Sequence, residues 1–364
     1  MKSVFYLGAA IALLHSTVAL FSHDDHQDPM VIQNGRVTNK AADLANSTIE
    51  SLEIQAVAQV ADASIDDAVV LTTSELDDSS DANPYAHHPP TPKFQVGSTG
   101  SQWAITYIPY NDDLTCKSRA LIHADVSTIA SKGFTTLRLY STDCSALAHI
   151  ATYALTLNLT LILGIHIDSP DPTQSQSQLS EIITWAASTS WTGVSMIVHG
   201  NEAIFNTYIP APTLSTLLIS SRSALRAAGY TGPVTTTEPI AILDENAALL
   251  CPTLDVAAAN IHPFFHAEIS ADEAGAYVAE QLEVLEGICP GLEAVNLETG
   301  WPRRGRRNGN AVPGVGEQAV AMRGILEGSG GRSVVLGFGD DGWKDEGEFG
   351  VEGSWGCGHL FGVD

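Results

Sequence analysis

Eight short apolar runs, rich in β-branched and aromatic residues, recur at regular intervals within residues 96–364. The runs occupy residues 103–108, 135–140, 159–165, 194–198, 234–237, 256–261, 294–297 and 334–338. Helical patterns separate them, and strands that alternate with helices form parallel sheets. Parallel strands are buried on both faces, which explains why these runs are continuously apolar. Eight such units predict an α/β fold of the (β/α)8 TIM-barrel class.

An open, doubly wound sheet is the alternative arrangement of the same units. Its dinucleotide-binding form carries a glycine-rich turn directly after the first strand. Here the first run leads into Asn111, Asp112 and Asp113 instead. The glycine-rich fingerprint is therefore missing from its expected position, and the closed barrel is the preferred interpretation.

Two of the predicted helices have recognisable ends. A helix over residues 116–132 has apolar residues at helical spacing and stops before Gly133, a residue that favours helix C-termini. A later helix is predicted to begin with the capping-box sequence Ser-Ala-Asp-Glu at residues 270–273, and it carries Val278 and Leu282 on one side. These ends support the placement of helices between the strands.

The N-terminal part of the chain has a different composition. Lys2, an apolar run and the small-residue sequence Thr-Val-Ala predict a cleaved secretory signal peptide at residues 1–19. A membrane anchor is the alternative, although the apolar run is short for a membrane span. Residues 20–95 are rich in Asp, Ser, Ala and Thr and end in a proline-containing stretch, which predicts a disordered acidic linker or pro-region. Residues 96–364 then form the barrel domain.

The chain carries 42 acidic and 17 basic residues, which gives a formal net charge of −25. Nucleic acids and anionic membranes are bound through clustered Lys and Arg, so this balance argues against both as partners. It suits a protein that acts on a neutral or cationic substrate. After the first apolar run no segment reaches 18 consecutive apolar residues, so we expect no membrane span in the mature chain.

Two glutamates stand at points where apolar runs give way to loops. The sequence Val-His-Gly-Asn-Glu at residues 198–202 closes the fourth run, and Asn-Leu-Glu-Thr-Gly-Trp-Pro at residues 296–302 closes the seventh. In a (β/α)8 barrel all strand C-termini open at one mouth, where active sites lie. Glu202 and Glu298 are therefore predicted to converge. Cleavage of a glycosidic bond requires two such carboxyl groups, one to protonate the leaving oxygen and one to act at the anomeric carbon.

Five ordered motifs make the chain recognisable. They lie at residues 107–113, 138–144, 200–203, 260–265 and 298–302, and a further similar segment lies at residues 349–357. Together they resemble glycoside hydrolase family 17, most closely its fungal cell-wall branch of glucan endo-1,3-β-glucosidases and β-glucosidases. The resemblance implies a secreted, extracellular or cell-wall enzyme that cleaves β-glucan, with β-1,3 linkages expected, by a retaining double displacement. It implies no metal and no organic cofactor.

The resemblance also implies roles for individual residues. Glu202 is expected to be the general acid/base, Glu298 the nucleophile, and Asn201 a ligand of the sugar 2-hydroxyl. Further substrate-binding candidates are Tyr107, Arg138, Tyr140, His262, Phe264, Trp301 and Lys344.

The aromatic candidates lie at or just beyond predicted strand ends, where their rings would stack on the apolar faces of sugars. Some of them could instead belong to the core. Arg138 is expected either to pair with Glu298 and keep it ionised or to form a structural salt bridge. His262 is expected to bond a sugar hydroxyl, the nucleophile or a structural partner.

The cysteine count is odd, so at least one thiol is left over within the chain. Cys251 and Cys289 each precede a strand, the sixth and the seventh, and are predicted to pair at the barrel floor. Cys116 follows the first strand and Cys357 follows the eighth, and these strands are neighbours in a closed barrel. A second disulfide is therefore expected between Cys116 and Cys357, with Cys144 as the free thiol.

The sequence leaves alternatives for the function. A transglycosylase would use the same glycosyl-enzyme intermediate and pass it to a sugar acceptor. A non-catalytic glucan-binding wall protein would keep the fold, although the presence of both carboxylates argues against it. Four arginines within residues 303–307 depart from the family pattern and indicate either a solvated loop or a subsite for an acidic or modified glycan. We expect a monomeric glycoprotein, with acceptor patterns at Asn46 and Asn158.

Overall fold

A computed structural model describes residues 102–362, in which eight parallel strands close into one barrel in chain order. The strands are β1 Ala104–Thr106, β2 Thr136–Leu139, β3 Thr160–Ile165, β4 Val194–Asn201, β5 Val234–Pro239, β6 Ala257–Asn260, β7 Ala294–Thr299 and β8 Ser333–Val335. β1 pairs with both β2 and β8, which closes the barrel. The predicted (β/α)8 class is therefore confirmed. The predicted signal peptide and linker, residues 1–19 and 20–95, lie outside the described residues.

Helices follow most of the strands. The α-helices are α1 Arg119–Ser131, α2 Thr152–Thr156, α3 Thr173–Thr189, α4 Ala211–Ala227, α5 Ile240–Glu245, α6 Ala247–Leu250, α7 Ala274–Ile288 and α8 Val315–Ser329. A π-helical turn at Leu147–Ala151 leads into α2, and the described chain after β8 forms only a 3-10 turn at Gly358–Leu360. Within residues 102–362, no helix combines the length and the apolar character that crossing a membrane requires.

The sequence around α1 explains where this helix begins and ends. The Ser118 side chain accepts a hydrogen bond from the Leu121 backbone N–H and caps the N-terminus, so the helix starts later than the predicted residue 116. At the other end Gly133 has φ +89°, a left-handed value that glycine adopts without steric cost. The predicted stop before Gly133 is therefore confirmed.

The predicted capping box makes its hydrogen bonds without beginning a helix. Glu273 Oε2 accepts bonds from the Ser270 backbone N–H at 2.9 Å and from its hydroxyl at 2.6 Å. These bonds close a turn, and α7 begins only at Ala274. Val278 and Leu282 are buried on α7, as the helical spacing predicts.

Two apolar layers form the core. The layer inside the barrel consists of Trp103, Ala104, Ile162, Met196, Val198, Val256, Ala258, Val295, Leu297 and Val334. The other layer lies between the strands and the surrounding helices and includes Ile122, Val126 and Leu282. Because side chains fill the barrel, substrate access is left to the ends of the strands.

Two disulfides connect segments that border neighbouring strands. Cys251–Cys289 joins the segments that enter β6 and β7, as predicted. The predicted Cys116–Cys357 bond is wrong, because Cys116 pairs with Cys144. Cys144 follows β2, which neighbours β1 just as β8 does, so the strand order alone allowed either partner. Cys357 is the free thiol among the described residues, and it is fully buried.

The C-terminal segment, residues 349–357, packs against the segments that follow β6 and β7. Val351, Trp355 and Cys357 are buried in the outer core layer. Asp340 connects this segment to the rest of the mouth, since its Oδ1 accepts the Gly356 backbone N–H at 3.0 Å. The segment is therefore part of the domain rather than an appended tail.

Candidate active site

β4 delivers two adjacent polar residues to the barrel mouth. Asn201 is its last residue, and Glu202 follows with φ +53°, a left-handed conformation that is uncommon outside glycine. Gly200 precedes them at φ +86°, and a Cβ atom there would meet Thr236 Oγ1 at 3.1 Å. The Glu202 backbone N–H donates to the Thr237 carbonyl at 2.8 Å. This turn holds Glu202 against the end of β5, where it is 3% exposed.

β7 carries Glu298 within the strand, 1% exposed. The Asn296 side chain supports it, because its Oδ1 accepts the Glu298 backbone N–H at 3.2 Å and the Ile261 backbone N–H at 3.1 Å. The pairing of β6 with β7 is irregular at this point, between Ala259 and Asn260. Such irregularities redirect side chains at strand ends, often beside active sites.

A hydrogen-bonded network joins the two strand ends. Arg138, on β2, donates to Asn201 Oδ1 at 2.7 Å and lies 3.4 Å from Glu298 Oε2. Asn260, at the end of β6, donates to Glu202 Oε1 at 2.9 Å and to Asn201 Oδ1 at 3.2 Å. The structure thus brings Glu202 and Glu298 into one network, as the strand count predicts. Of the two alternatives for Arg138, the structure shows the ion pair with Glu298.

Hydrogen-bond donors and positive charge surround Glu298. The Tyr140 hydroxyl donates to its Oε2, and His262 Nε2 lies 3.2 Å from its Oε1. Burial is the largest single effect on the pKa of Glu298 and raises it. The hydrogen bond and charge of His262, the charge of Arg138 and the hydrogen bond from Tyr140 together outweigh burial, and the pKa falls to about 2. Glu298 is therefore ionised across mildly acidic and neutral pH.

Glu202 has the opposite environment. Burial raises its pKa most, and the negative charge of Glu298 raises it further. The hydrogen bond from Asn260 and the charge of His262 oppose this rise without cancelling it, and the pKa reaches about 7. Glu202 therefore keeps its proton at mildly acidic pH. Two carboxyl groups with separated pKa values can divide the roles of proton donor and nucleophile.

Tyr140 is held in its protonated form. Burial raises the pKa of its hydroxyl well above the usual value, and the charge of Glu298 adds to this effect. The Arg138 guanidinium, 4.6 Å from the Tyr140 ring centre, lowers this pKa by less. Tyr140 is therefore a fixed hydrogen-bond donor to Glu298.

A cleft of about 600 Å³ opens beside Glu298. It is lined by Tyr107, Ile108, Pro109, Tyr110, Leu139, Tyr140, Ser141, Asp143, Ala146, Asn201, Glu298, Trp343 and Lys344. Its walls come from the segments after β1, β2 and β8. The rings of Tyr110 and Trp343 meet edge to face with centroids 5.7 Å apart. Aromatic walls of this kind suit the apolar faces of sugar rings.

Two of the predicted binding residues line this cleft but already have partners. The Tyr107 hydroxyl donates to Asp125 at 2.8 Å, so its ring rather than its hydroxyl is available to a substrate. Lys344 pairs with Asp341 at 2.8 Å. Burial would lower the pKa of Lys344, but the charge and hydrogen bond of Asp341 raise it overall. Lys344 is therefore a positive charge in the cleft wall.

Glu352 is a buried carboxyl group near the mouth that the sequence prediction did not include. It is 5% exposed, and its Oε2 has no hydrogen-bond partner among the described residues. Burial raises its pKa to about 8, and Lys344 opposes this rise. The negative charges of Glu298 and Glu202 also raise it. Glu352 is therefore largely protonated at neutral pH.

The structure buries Phe264 and Trp301, two of the predicted sugar-stacking residues, and neither lines the cleft beside Glu298. Their rings pack edge to face 5.5 Å apart, and the Trp301 indole N–H donates to the Val312 carbonyl at 2.9 Å. Phe264 also contacts the rings of Phe349 and Trp355. Both rings therefore belong to the core, and Phe264 packs against the C-terminal segment.

The arginine-rich loop at residues 303–307 binds neighbouring segments of the chain. Arg303 forms an ion pair with Asp340, and Arg306 donates to the backbone carbonyl of Glu348. The loop does not contribute to the lining of the main cleft. Its contacts favour a structural loop that ties the segment after β7 to the segment after β8.

Comparison with known proteins supplies a family. A family model described as the BtgE/BtgC glycoside hydrolase domain matches residues 104–356. The chain is 47% identical to the protein named "Probable beta-glucosidase btgE" of Aspergillus fumigatus over 265 residues, 73% of this chain and 46% of that protein. The protein of the same name from Neosartorya fischeri is 47% identical over 262 residues, 72% of this chain and 47% of that protein. The chain thus spans about half the length of the curated relatives it matches.

Solved structures share the fold. A glycoside hydrolase family 17 β-1,3-glucanosyltransferase from Rhizomucor miehei superposes with a TM-score of 0.61 at 17% identity, covering 70% of this chain and 92% of that chain. An endo-laminarinase from Formosa superposes with a TM-score of 0.56 at 15% identity, covering 70% of this chain and 82% of that chain. At these identities the likeness concerns the fold alone. The family match confirms the glycoside hydrolase resemblance of the motifs, and the chain belongs to the BtgE/BtgC glycoside hydrolase domain family.

Proposed function

We propose that the barrel domain is a retaining glycoside hydrolase that cleaves β-1,3-linked glucan, with Glu298 as nucleophile and Glu202 as general acid/base. One observation carries the proposal: two strand-end carboxyl groups share a network, yet the pKa of one is lowered and that of the other is raised. The name of the btgE relatives supports a β-glucoside substrate. The β-1,3 linkage is supported by the family 17 motifs within residues 96–361.

In the first step, Glu298 attacks the anomeric carbon while Glu202 gives its proton to the departing glycosidic oxygen. The bond between the anomeric carbon and that oxygen breaks as the bond to Glu298 forms. Arg138, His262 and Tyr140 keep Glu298 ionised for this attack. The product is a glycosyl-enzyme ester and a released sugar with a free hydroxyl.

In the second step, Glu202 changes its role. Ester formation removes the negative charge of Glu298, which is one of the causes that raise the pKa of Glu202. The pKa of Glu202 then falls, so its carboxylate can accept a proton from water. The resulting hydroxide attacks the anomeric carbon, the ester bond to Glu298 breaks, and the sugar leaves with its original configuration.

Asn201 is proposed to bind the sugar 2-hydroxyl. Its Oδ1 already accepts hydrogen bonds from Arg138 and Asn260, so its NH₂ group is the part that can address a substrate. A hydrogen bond to the 2-hydroxyl strengthens as the transition state develops positive charge on the sugar. Tyr107, Tyr110 and Trp343 supply ring faces or edges along the cleft for the neighbouring units.

Product analysis with laminaripentaose tests the proposal. The full chain should release shorter laminari-oligosaccharides, and proton NMR at early times should show the β-anomer first. Glu298→Gln should be inactive. Glu286→Gln is the matched control, because Glu286 lies on α7 with its side chain 49% exposed and pairs with Arg332. This variant should keep full activity.

Other outcomes would change the proposal in defined ways. Early appearance of the α-anomer would refute retention. Release of sugar from β-1,4- or β-1,6-glucan alone would refute the linkage. Products longer than the substrate would favour the transglycosylase alternative, and binding of laminarin without any release would favour the non-catalytic one.

We also propose that the protein is secreted to the cell wall or medium. The signal sequence predicted at residues 1–19 supports this location, and disulfides persist in oxidising compartments. N-terminal sequencing of the protein from the culture medium of a fungal host should show a chain that starts near residue 20. Retention of the intact N-terminus inside the cell would contradict the proposal.

A further inference from the structure

β5 ends between the two candidate catalytic strands and carries a carboxyl group that the mechanism above does not use. Glu238 is fully buried. Its Oε1 accepts the Ile204 backbone N–H at 2.9 Å, and its Oε2 accepts the Phe205 backbone N–H at 3.2 Å. Both donors belong to the turn that follows Glu202 in the chain. A buried carboxyl group needs hydrogen-bond donors, and backbone N–H groups of a turn that are turned away from water need an acceptor.

The same turn sets the conformation of Glu202. Its backbone N–H donates to the Thr237 carbonyl at 2.8 Å, and its carbonyl accepts the Asn206 backbone N–H at 2.9 Å. Two adjacent residues of β5 therefore accept backbone N–H groups from this turn: Thr237 from Glu202 itself, and Glu238 from Ile204 and Phe205. These bonds oppose the intrinsic cost of its left-handed φ of +53°.

We propose that Glu238 is a positioning residue for the general acid/base: its carboxyl group holds the turn that orients Glu202 and, when ionised, places a negative charge beside it. The proposal rests on the proposed function, because it concerns the proton donor of that reaction. It assigns a role to a residue outside both motifs.

Ionisable groups face Glu202 from several elements. They are Glu298 on β7, His262 after β6, Glu238 on β5, Glu352 in the C-terminal segment and Tyr208 in the loop after β4. The charge of Glu238 raises the pKa of Glu202, as does that of Glu298, whereas His262 lowers it. The two carboxyl groups differ in one respect: in the proposed reaction Glu298 bonds to the sugar and loses its charge, whereas Glu238 forms no such bond.

Glu238 gains its charge in the pH range where this effect matters. Burial raises its pKa to about 7, against the lowering effect of the Ile204, Phe205 and Ala203 backbone N–H groups. The general acid loses activity as pH rises through the pKa of Glu202, which is also about 7. As Glu238 ionises in that same range, its negative charge opposes the loss of the proton from Glu202.

Two substitutions separate geometry from charge. Glu238→Gln removes the charge and turns one acceptor into a donor, whereas Glu238→Asp keeps the charge and withdraws it by one methylene. Both should lower kcat on laminaripentaose about 10- to 100-fold, because the acid is misplaced. Only Glu238→Gln should move the alkaline limb of kcat/KM to lower pH, by roughly half a unit.

Asp255→Asn is the matched control. Asp255 is a buried carboxyl group whose Oδ2 accepts the Val234 backbone N–H at 2.9 Å, at the opposite end of β5. Its substitution should lower Tm and leave the alkaline limb in place. A general loss of barrel stability would affect both ends of β5, whereas the proposed role belongs only to the mouth.

A direct titration keeps this test independent of turnover. The full chain is labelled with ¹³C at the glutamate carboxyl groups, and the Glu202 signal is assigned by its loss in Glu202→Gln. In Glu238→Gln the midpoint of this signal should move to lower pH. An unchanged midpoint in a protein with native near-ultraviolet circular dichroism overturns the charge role.

If Glu238→Gln does not fold, a Glu238→Asp protein with wild-type kcat overturns the positioning role. A wild type that releases no sugar refutes the proposed function, while the titration still decides on Glu238.

Discussion

The strand ends of β4 and β7 each carry a buried glutamate, but their surroundings shift its pKa in opposite directions. On β7, a histidine, an arginine and a tyrosine hydroxyl converge on Glu298 and lower its pKa to about 2. On β4, Glu202 is buried, accepts one bond from the neutral amide of Asn260, and its pKa rises to about 7. Residue type therefore does not decide which carboxyl group donates a proton; the groups that neighbouring strands bring to it do.

Removing the carboxylate on β7 should have the largest effect on activity. Glu298→Gln keeps the shape of the side chain but cannot form the glycosyl ester, so kcat should fall about 10⁴-fold or more. The loss should be as large with an activated aryl β-glucoside, because every substrate needs the nucleophile. Azide should restore turnover of that substrate by Glu298→Gly and yield an α-glycosyl azide. A substantial residual rate in Glu298→Gln would break the assignment.

Removing the carboxyl group on β4 should have a smaller effect that depends on the substrate. Glu202→Gln should lower kcat on laminari-oligosaccharides about 10²- to 10⁴-fold, because the leaving oxygen is no longer protonated. A dinitrophenyl β-glucoside leaves without a proton, so its first step should slow far less, as stopped-flow release of the phenolate would show. Equal losses on both substrates would contradict the acid role.

The contrast between the two strand ends can be weakened by substituting Arg138. Arg138→Met removes a positive charge beside Glu298, so the pKa of Glu298 should rise. Glu298 must be ionised to attack, and the acidic limb of kcat/KM should therefore move to higher pH by about one unit. Arg222→Met is the control, because Arg222 pairs with Asp255 away from the mouth. A shift of the acidic limb in both variants would indicate general loosening of the barrel.

The smallest expected effect concerns the wall of the cleft on the Glu298 side. The Cys116–Cys144 disulfide joins the segments after β1 and β2, which line the cleft, whereas Cys251–Cys289 joins segments that enter strands. Replacing either pair by serine should lower stability by about 3 kcal/mol. Only the Cys116/Cys144 variant should raise KM, by a few fold, in steady-state kinetics. Equal KM values in the two variants would show that this wall of the cleft does not contribute to substrate binding.

The strands and the two glutamates were predictable because both depend on local pattern. Apolar runs mark strands that are buried on both faces, and counting them places Glu202 and Glu298 at the same mouth. The partners that set their proton affinities were harder to predict. Asn260 and Glu238 also lie at strand ends, but the groups they bond, Glu202 and Ile204, belong to the turn after β4, which is distant in the sequence.

Phe264 and Trp301 show what strand counting does not settle. Both follow strand ends just as Tyr140 does, yet their rings are fully buried, and Phe264 packs against Trp355 of the C-terminal segment. The position of an aromatic residue relative to a strand end does not reveal whether its ring faces the cleft or the core. The same limit applies to Cys116, because a closed barrel gives each loop two neighbours and the sequence does not choose between them.

The C-terminal segment has a consequence for how the domain folds during its synthesis. Residues 349–357 leave the ribosome after all eight strands, and they bring with them Val351, Trp355 and Glu352, which the folded domain buries. A nascent chain that already holds every strand, Glu202 and Glu298 therefore still lacks part of its apolar core. Because a domain folds as a unit, the native barrel packing is complete only when this last segment has been made.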